Sequence, residues 1–263
     1  AAAGLQGDPT AAAAVEDRCS ICYRSLQSNG AMISRTDADA LADRVLGAFL
    51  GLAGGDRNGG PVQMALILGE SLASCGSYRP AHVLQGYARW WDRGRGVDAW
   101  DTGPITGAAL GSIDPLLAEE DAVSAVCRFS ENRDKELNGM TAGCNAVHRV
   151  APLGIMPMAS LDDMADAARL ESTLTHWSAV SQFSCVALCF MVRRLVVGAG
   201  WDAAVCFAVD RLADASASDD AVAAKRVSDA IARGASAECS QKELSRGGFS
   251  PDVIKAAVFF VQQ

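Results

Sequence analysis

The sequence predicts an all-α fold, an orthogonal packing of about nine or ten helices in one domain. Three observations predict it. Apolar residues recur at helical spacing almost without interruption from residue 39 onward. No stretch alternates apolar and polar residues between hairpin turns. Ala and Gly are plentiful while aromatics make up only 6%, a composition suited to closely packed helices rather than a β-sandwich. Half of the 263 residues are hydrophobic, enough for a sizeable core.

Residues 1–38 are poor in large apolar side chains and rich in Ala, Ser, Asp and Arg. They read as an N-terminal arm, free to order against a protein partner, ahead of a helical domain over 39–263. Leu41, Val45, Leu46, Phe49 and Leu52 share one face of the first helix, which Gly54 and Gly55 should stop. A second helix is expected over 62–74, with Gly76 as its stop. A third carries Val83, Leu84, Tyr87, Trp90 and Trp91 and runs into a loop at 94–98. A short helix containing Thr106 and Leu110 follows, then one opened by Glu119, Glu120 and Asp121, whose charges suit a helix start.

Ser160-Leu161-Asp162-Asp163 resembles a capping box with Asp in the Glu position. The apolar run 180–197 is broken by Ser181, Gln182, Ser184, Arg193 and Arg194. A bilayer span needs about 20 mostly apolar residues, so the run reads as a core helix and not a membrane span. Further helices are expected from Trp201, over 218–233, and from Ser250-Pro251, with Ser as N-cap and Pro in the first turn.

A net charge of −8 and the absence of a Lys/Arg block argue against nucleic acid as a partner. A small anionic ligand stays compatible, since backbone amides and one Arg can hold a phosphate on an acidic protein. Nine cysteines are scattered, with Cys127, Cys185, Cys189 and Cys206 inside apolar stretches. They read as buried thiols of a protein in a reducing compartment. Cys19 and Cys22 have CxxC spacing, but no second half of a zinc site follows. G-x-S-x-G, P-loop, H-E-x-x-H and dinucleotide fingerprints are all missing.

Chemistry is concentrated in three Gly-rich polar loops, at 54–61, 98–104 and 139–149. Glycines let backbone N–H groups approach a ligand, so a phosphate at Gly59, Gly60 and Val62 is a reasonable expectation beside Asn58. Thr102, Gly103, Gly143 and Asn145 line the other two loops, with His148 and Arg149 as candidate phosphate holders or, for the imidazole, a base. Asp56 and Asp101 are the candidate catalytic carboxylates, because cleavage of a ribosyl bond passes through an oxocarbenium-like state that a carboxylate can assist. Asp56 is equally readable as a loop acid and Asp101 as an N-cap. His176 reads as structural, at a helix end where positive charge is favourable.

These segments resemble one family. Asp43-Arg44-Val45-Leu46-Gly47-Ala48-Phe49-Leu50-Gly51-Leu52-Ala53-Gly54-Gly55-Asp56 is similar to the opening helix of ADP-ribosylglycohydrolases, D-R-x-x-G-A-x-x-G-x-A-x-G-D. Gln63-Met64-Ala65-Leu66 through Leu72 resembles the family's Q-M-A-L helix. The Trp pair with Asp101-Thr102-Gly103-Pro104 is similar to its ribose-side segment. Gly143 to Gly154 resembles its G-N-G-x-x-M-R-x-x-P-L-G loop, and Leu174-Thr175-His176 its L-T-H element. The segment from Gly248 to Val261 is similar to its last helix. The resemblance implies an ADP-ribosylglycohydrolase-like all-α domain, a cleft for ADP-ribose or an ADP-ribosylated protein, and, in active members, two Mg²⁺ ions.

Departures from the pattern fall at the metal positions. Active members read T-D-D-T before Q-M-A, where this chain has Gly59, Gly60, Pro61 and Val62. Their second set, D-x-D-T, lies past the last helix, and the residues here run to Gln263 without it. Asn145 stands one place after the family Asn, and His148 replaces Met. Mg²⁺ needs several oxygen ligands, so the expectation is a degraded magnesium site with no metal ligands assigned. Three readings stay open: a divergent hydrolase, a pseudoenzyme that binds ADP-ribose, and a scaffold or assembly subunit, as in the family's lens-crystallin relatives.

Overall fold

The structure is a computed structural model that describes residues 35–56, 59–94, 103–114, 116–214 and 220–263. The expectations for Asn58, Asp101, Thr102, the Cys19/Cys22 pair and the arm before residue 35 lie outside those residues. Among the described residues the fold is twelve α-helices and no strand, as the apolar periodicity implies.

Helix α1 (Arg35–Gly55) takes in residues 35–38 and lies on the core's edge. Its Val45 packs with Ile155 and Val196, flanked by Leu41, Ala48 and Phe49. Arg44 Nε donates to the Val196 carbonyl at 2.7 Å, so the side chain caps a carbonyl of a distant helix end. Gly54 and Gly55 form the last turn rather than ending the helix before them, and the Asp56 amide still bonds the Leu52 carbonyl at 3.0 Å. The cost of a glycine is modest in a frayed last turn.

Helix α2 (Gly60–Cys75) starts at Gly60, with Pro61 in its first turn, and ends on Gly76 at φ 67°. The Gly76 amide closes the turn on the Leu72 carbonyl, the left-handed stop that the sequence suggested. Helices α3 (Pro80–Gly94), α4 (Gly103–Gly111) and α5 (Glu119–Glu136) follow, the last with Glu119, Glu120 and Asp121 in its first turn. Two single-turn helices, α6 (Asn145–Arg149) and α7 (Ala151–Ile155), form an elbow.

Ser160 caps α8 (Leu161–Thr173), its hydroxyl accepting from the Asp163 amide at 3.0 Å and donating to the Asp163 carboxylate at 2.8 Å. Helix α9 (Ala179–Val196) is the central element, packed by α7, α8, α10 (Trp201–Asp214), α11 (Ala221–Ala235) and α12 (Ser250–Val261). By length and composition α9 could cross a membrane, but 61% of it is buried inside the protein, as befits a core helix. Two of its polar side chains bond backbone carbonyls: Ser184 donates to the Val180 carbonyl at 2.7 Å, and Gln182 to the Trp177 carbonyl at 2.7 Å.

Two local expectations need correction. Cys185 and Cys189 are buried, but Cys127 is half-buried and Cys206 exposed. Ala204, Val205, Ala208 and Leu212 form the inner face of α10, and Cys206 lies off that face. Ser250 is the first helical residue of α12, with Phe249 as N-cap, and it makes no side-chain cap. Its hydroxyl instead donates to the Ala142 carbonyl at 2.7 Å.

Candidate functional site

Asp56 follows directly on α1, and its carboxylate reaches the start of α2. Oδ1 accepts from the Gly59 amide at 3.0 Å and Oδ2 from the Val62 amide at 2.8 Å. A carboxylate across the first N–H groups of a helix is a strong cap, favoured by both hydrogen bonding and the helix dipole. These are the amides at which the sequence suggested a phosphate. That expectation is corrected for two of the three: the protein's own Asp56 already meets the Gly59 and Val62 amides. Gly59 sits at φ 80°, where a residue with a Cβ would be strained. Gln63, in the same turn, accepts from the Trp90 indole N–H, which ties the start of α2 to α3.

The start of α4 meets the start of α6. Gly103 opens α4 at φ 70°, and a Cβ there would stand 3.1 Å from Asn145 Oδ1. Gly143, Asn145 and His148 are all half-exposed, while Ala146, Val147 and Arg149 face the core. The outward side of α6 therefore carries Asn145 and His148, with the His148 amide bonded one turn back to the Cys144 carbonyl at 3.0 Å.

Gly143 is held from two sides. A Cβ at Gly143 would stand 3.1 Å from His176 Nε2, so a larger residue there would press on that imidazole. On the other side Gly143 forms a bridge with Phe249, and Ser250 Oγ lies 3.2 Å from the Gly143 carbonyl in addition to its bond with Ala142. The first turn of α12 thus pins the loop, more than a hundred residues away in sequence. Sequence reading missed this role for Ser250, because a Ser before Pro looks like an N-cap.

Arg149 does not reach the loops' outer side. It is 0% exposed, and its Nε donates to Glu171 Oε1 at 2.7 Å. Nη2 donates to the Thr175 hydroxyl at 2.9 Å and the Glu171 carbonyl at 3.1 Å. The Tyr87 hydroxyl completes the group by donating to Glu171 Oε1 at 2.8 Å. The expectation that Arg149 holds a phosphate is corrected, since its charge is committed to Glu171 behind α6. Burial penalises that charge, but the Glu171 carboxylate outweighs it and holds the guanidinium protonated. Burial also pushes the Glu171 carboxyl up, opposed by Arg149 and Tyr87.

His176 is a correction of reason rather than of role. It does not carry a positive charge at a helix end. It is buried, its Nδ1 lies 2.8 Å from the Thr175 hydroxyl, and burial together with the Arg149 and His148 charges lowers its pKa to about 3. The imidazole is neutral and acts as the floor of the Gly143 loop.

Among the described residues, the first loop does not offer the oxygens that a pair of magnesium ions needs. Both Asp56 oxygens face α2 amides, and Gly59, Gly60, Pro61 and Val62 bring no side-chain oxygen. No group of three His, Cys, Asp or Glu side chains converges among the described residues. Hard cations need such a set of oxygens.

A family model described as ADP-ribosylglycohydrolase matches residues 61–263. No curated protein matches the chain. With the helical architecture, the Gly103–Asn145 approach and a family match running from the first turn of α2 to the last residue, the chain belongs to the ADP-ribosylglycohydrolase family.

Proposed function

We propose that this chain recognises an ADP-ribosyl group without the family's two-magnesium hydrolysis. The observation that carries the proposal is the meeting of Gly103 with Asn145 beside the half-exposed His148, on a scaffold that belongs to this family. Asn145 offers both donors and acceptors to ribose hydroxyls, and the His148 imidazole suits an anionic oxygen. Asp56 acts by fixing the start of α2 rather than by activating water. Free ADP-ribose and ADP-ribosylated proteins are the ligands to test first.

The Asp56 cap also favours a second reading, a member kept as a structural or assembly subunit. Incubation with an ADP-ribosyl-arginine peptide and Mg²⁺ separates the outcomes. The proposal expects the peptide to be bound and recovered intact. Release of free ADP-ribose that stops on chelation overturns it, and a folded protein that binds no peptide leaves the scaffold reading.

A further inference from the structure

A groove follows the turn between α2 and α3, on residues separate from the loops described above. It consists of three adjoining cavities. One of about 310 Å³ lies between α3, α4 and the start of α5, over Leu84, Leu110 and Ile113. The next, of about 680 Å³, lies over the turn itself and shares Ala81 and Glu119 with the first. The third, of about 520 Å³, shares Ser77 and Tyr78 with the second and is floored by Met156, Met158 and Leu170.

Each end carries some apolar side chains and the rim is acidic. Asp92, Asp114, Glu119, Glu120, Asp163 and Asp166 line the cavities, against Arg79 and Arg89. Leu117 lines the first cavity at 40% exposure, and its chain neighbour Leu116 is 90% exposed. A ligand-sized pocket would be a single concavity. A row of three linked cavities with apolar side chains at its ends suits an extended chain that seats side chains at intervals.

We propose that this groove docks an extended basic peptide segment of a partner protein, with an apolar anchor residue at each end. Charge complementarity decides the partner's chemistry: an acidic segment would meet like charge along the rim, and an uncharged one would forgo the attraction. Met158 at one end allows the anchor to vary, since its side chain can repack around different shapes. The inference does not depend on ADP-ribosyl recognition, because Gly103, Asn145 and His148 are not part of the groove.

The test is fluorescence anisotropy of the full chain with labelled peptides that carry leucines near both ends and lysines and arginines between. Binding is expected to weaken as salt rises. It should fall about tenfold or more with Asp114→Lys plus Glu120→Lys, and also with Leu117→Ser. All of these positions are exposed, and circular dichroism checks that each variant keeps its helix content. A control reversal at the exposed Asp202, on α10, should leave affinity unchanged. The proposal is overturned if peptides with serine in place of both leucines bind equally well. It is equally overturned if Asp202→Lys weakens binding as much as the groove variants, since general charge attraction then accounts for it. Absence of binding by the basic peptide also overturns it.

Discussion

Arg149 and Glu171 form an ion pair sealed in the core, 2.7 Å apart with neither side chain exposed. Arg149 lies over the Tyr87 ring, 5.4 Å from its centroid, and Tyr87 donates to the same carboxylate oxygen. The pair joins α6 to α8, and so sets the inner side of the helix whose outer side carries Asn145 and His148.

Removing one partner of such a pair leaves a buried charge without its counter-ion. Glu171→Gln should therefore destabilise the protein by about 3–5 kcal/mol. Urea unfolding checks this. The double variant Arg149→Met with Glu171→Leu should recover much of the loss, because no charge then stays buried. Equal losses in the single and double variants would contradict this account of the pair.

His176 makes stability depend on pH in a definite direction. Its folded pKa, about 3, lies below the unfolded value of about 6.5. The unfolded chain therefore binds the proton first. The stabilisation is fully present above about pH 6.5 and is lost as pH falls toward 3, at up to about 1.4 kcal/mol per pH unit. His176→Asn should flatten the stability–pH curve between those limits relative to the parent. Parallel curves for the two proteins would show that His176 is not kept neutral by the fold.

Ser250 should matter to a loop that it does not belong to. Ser250→Ala removes the donor to the Ala142 carbonyl, a buried bond whose loss should cost about 1–3 kcal/mol. Amide exchange at 142–145 should quicken in this variant more than exchange within α9. Uniform acceleration across the protein would indicate general destabilisation instead.

Asp56 gives a direct contrast between a cap and a metal ligand. As a cap, Asp56→Ala should lower stability by about 0.5–2 kcal/mol equally with Mg²⁺ or with chelator. A loss that appears only when Mg²⁺ is present would assign Asp56 to metal binding.

Much of the fold was legible because its signals are local. The glycine stop at Gly76, the Ser160 cap and the apolar run of α9 each depend on residues within a turn or two. The three polar loops were only partly legible, since Gly60, Gly103 and Asn145 each prove to start a helix, but the sequence singled out Gly103 and Asn145, which meet. What was not legible depends on distant partners. Arg149 looked like a phosphate holder because Glu171, which neutralises it, lies a helix away. Ser250 carries a cap signature, yet its bond crosses to residue 142. The anion at the start of α2 is Asp56 itself, which only the closeness of α1 to α2 reveals. A charged side chain's role is set by its nearest opposite charge in space, and spacing along the chain does not supply that.

The central claim is ADP-ribosyl recognition that does not run through magnesium. Isothermal titration of ADP-ribose into the chain, with Mg²⁺ and with chelator, tests it most directly. The account predicts saturable binding with the same dissociation constant in both conditions, weakened by Asn145→Leu and unchanged by Asp202→Lys. Binding that appears or tightens only with Mg²⁺, or no binding by the folded protein in either condition, would contradict it.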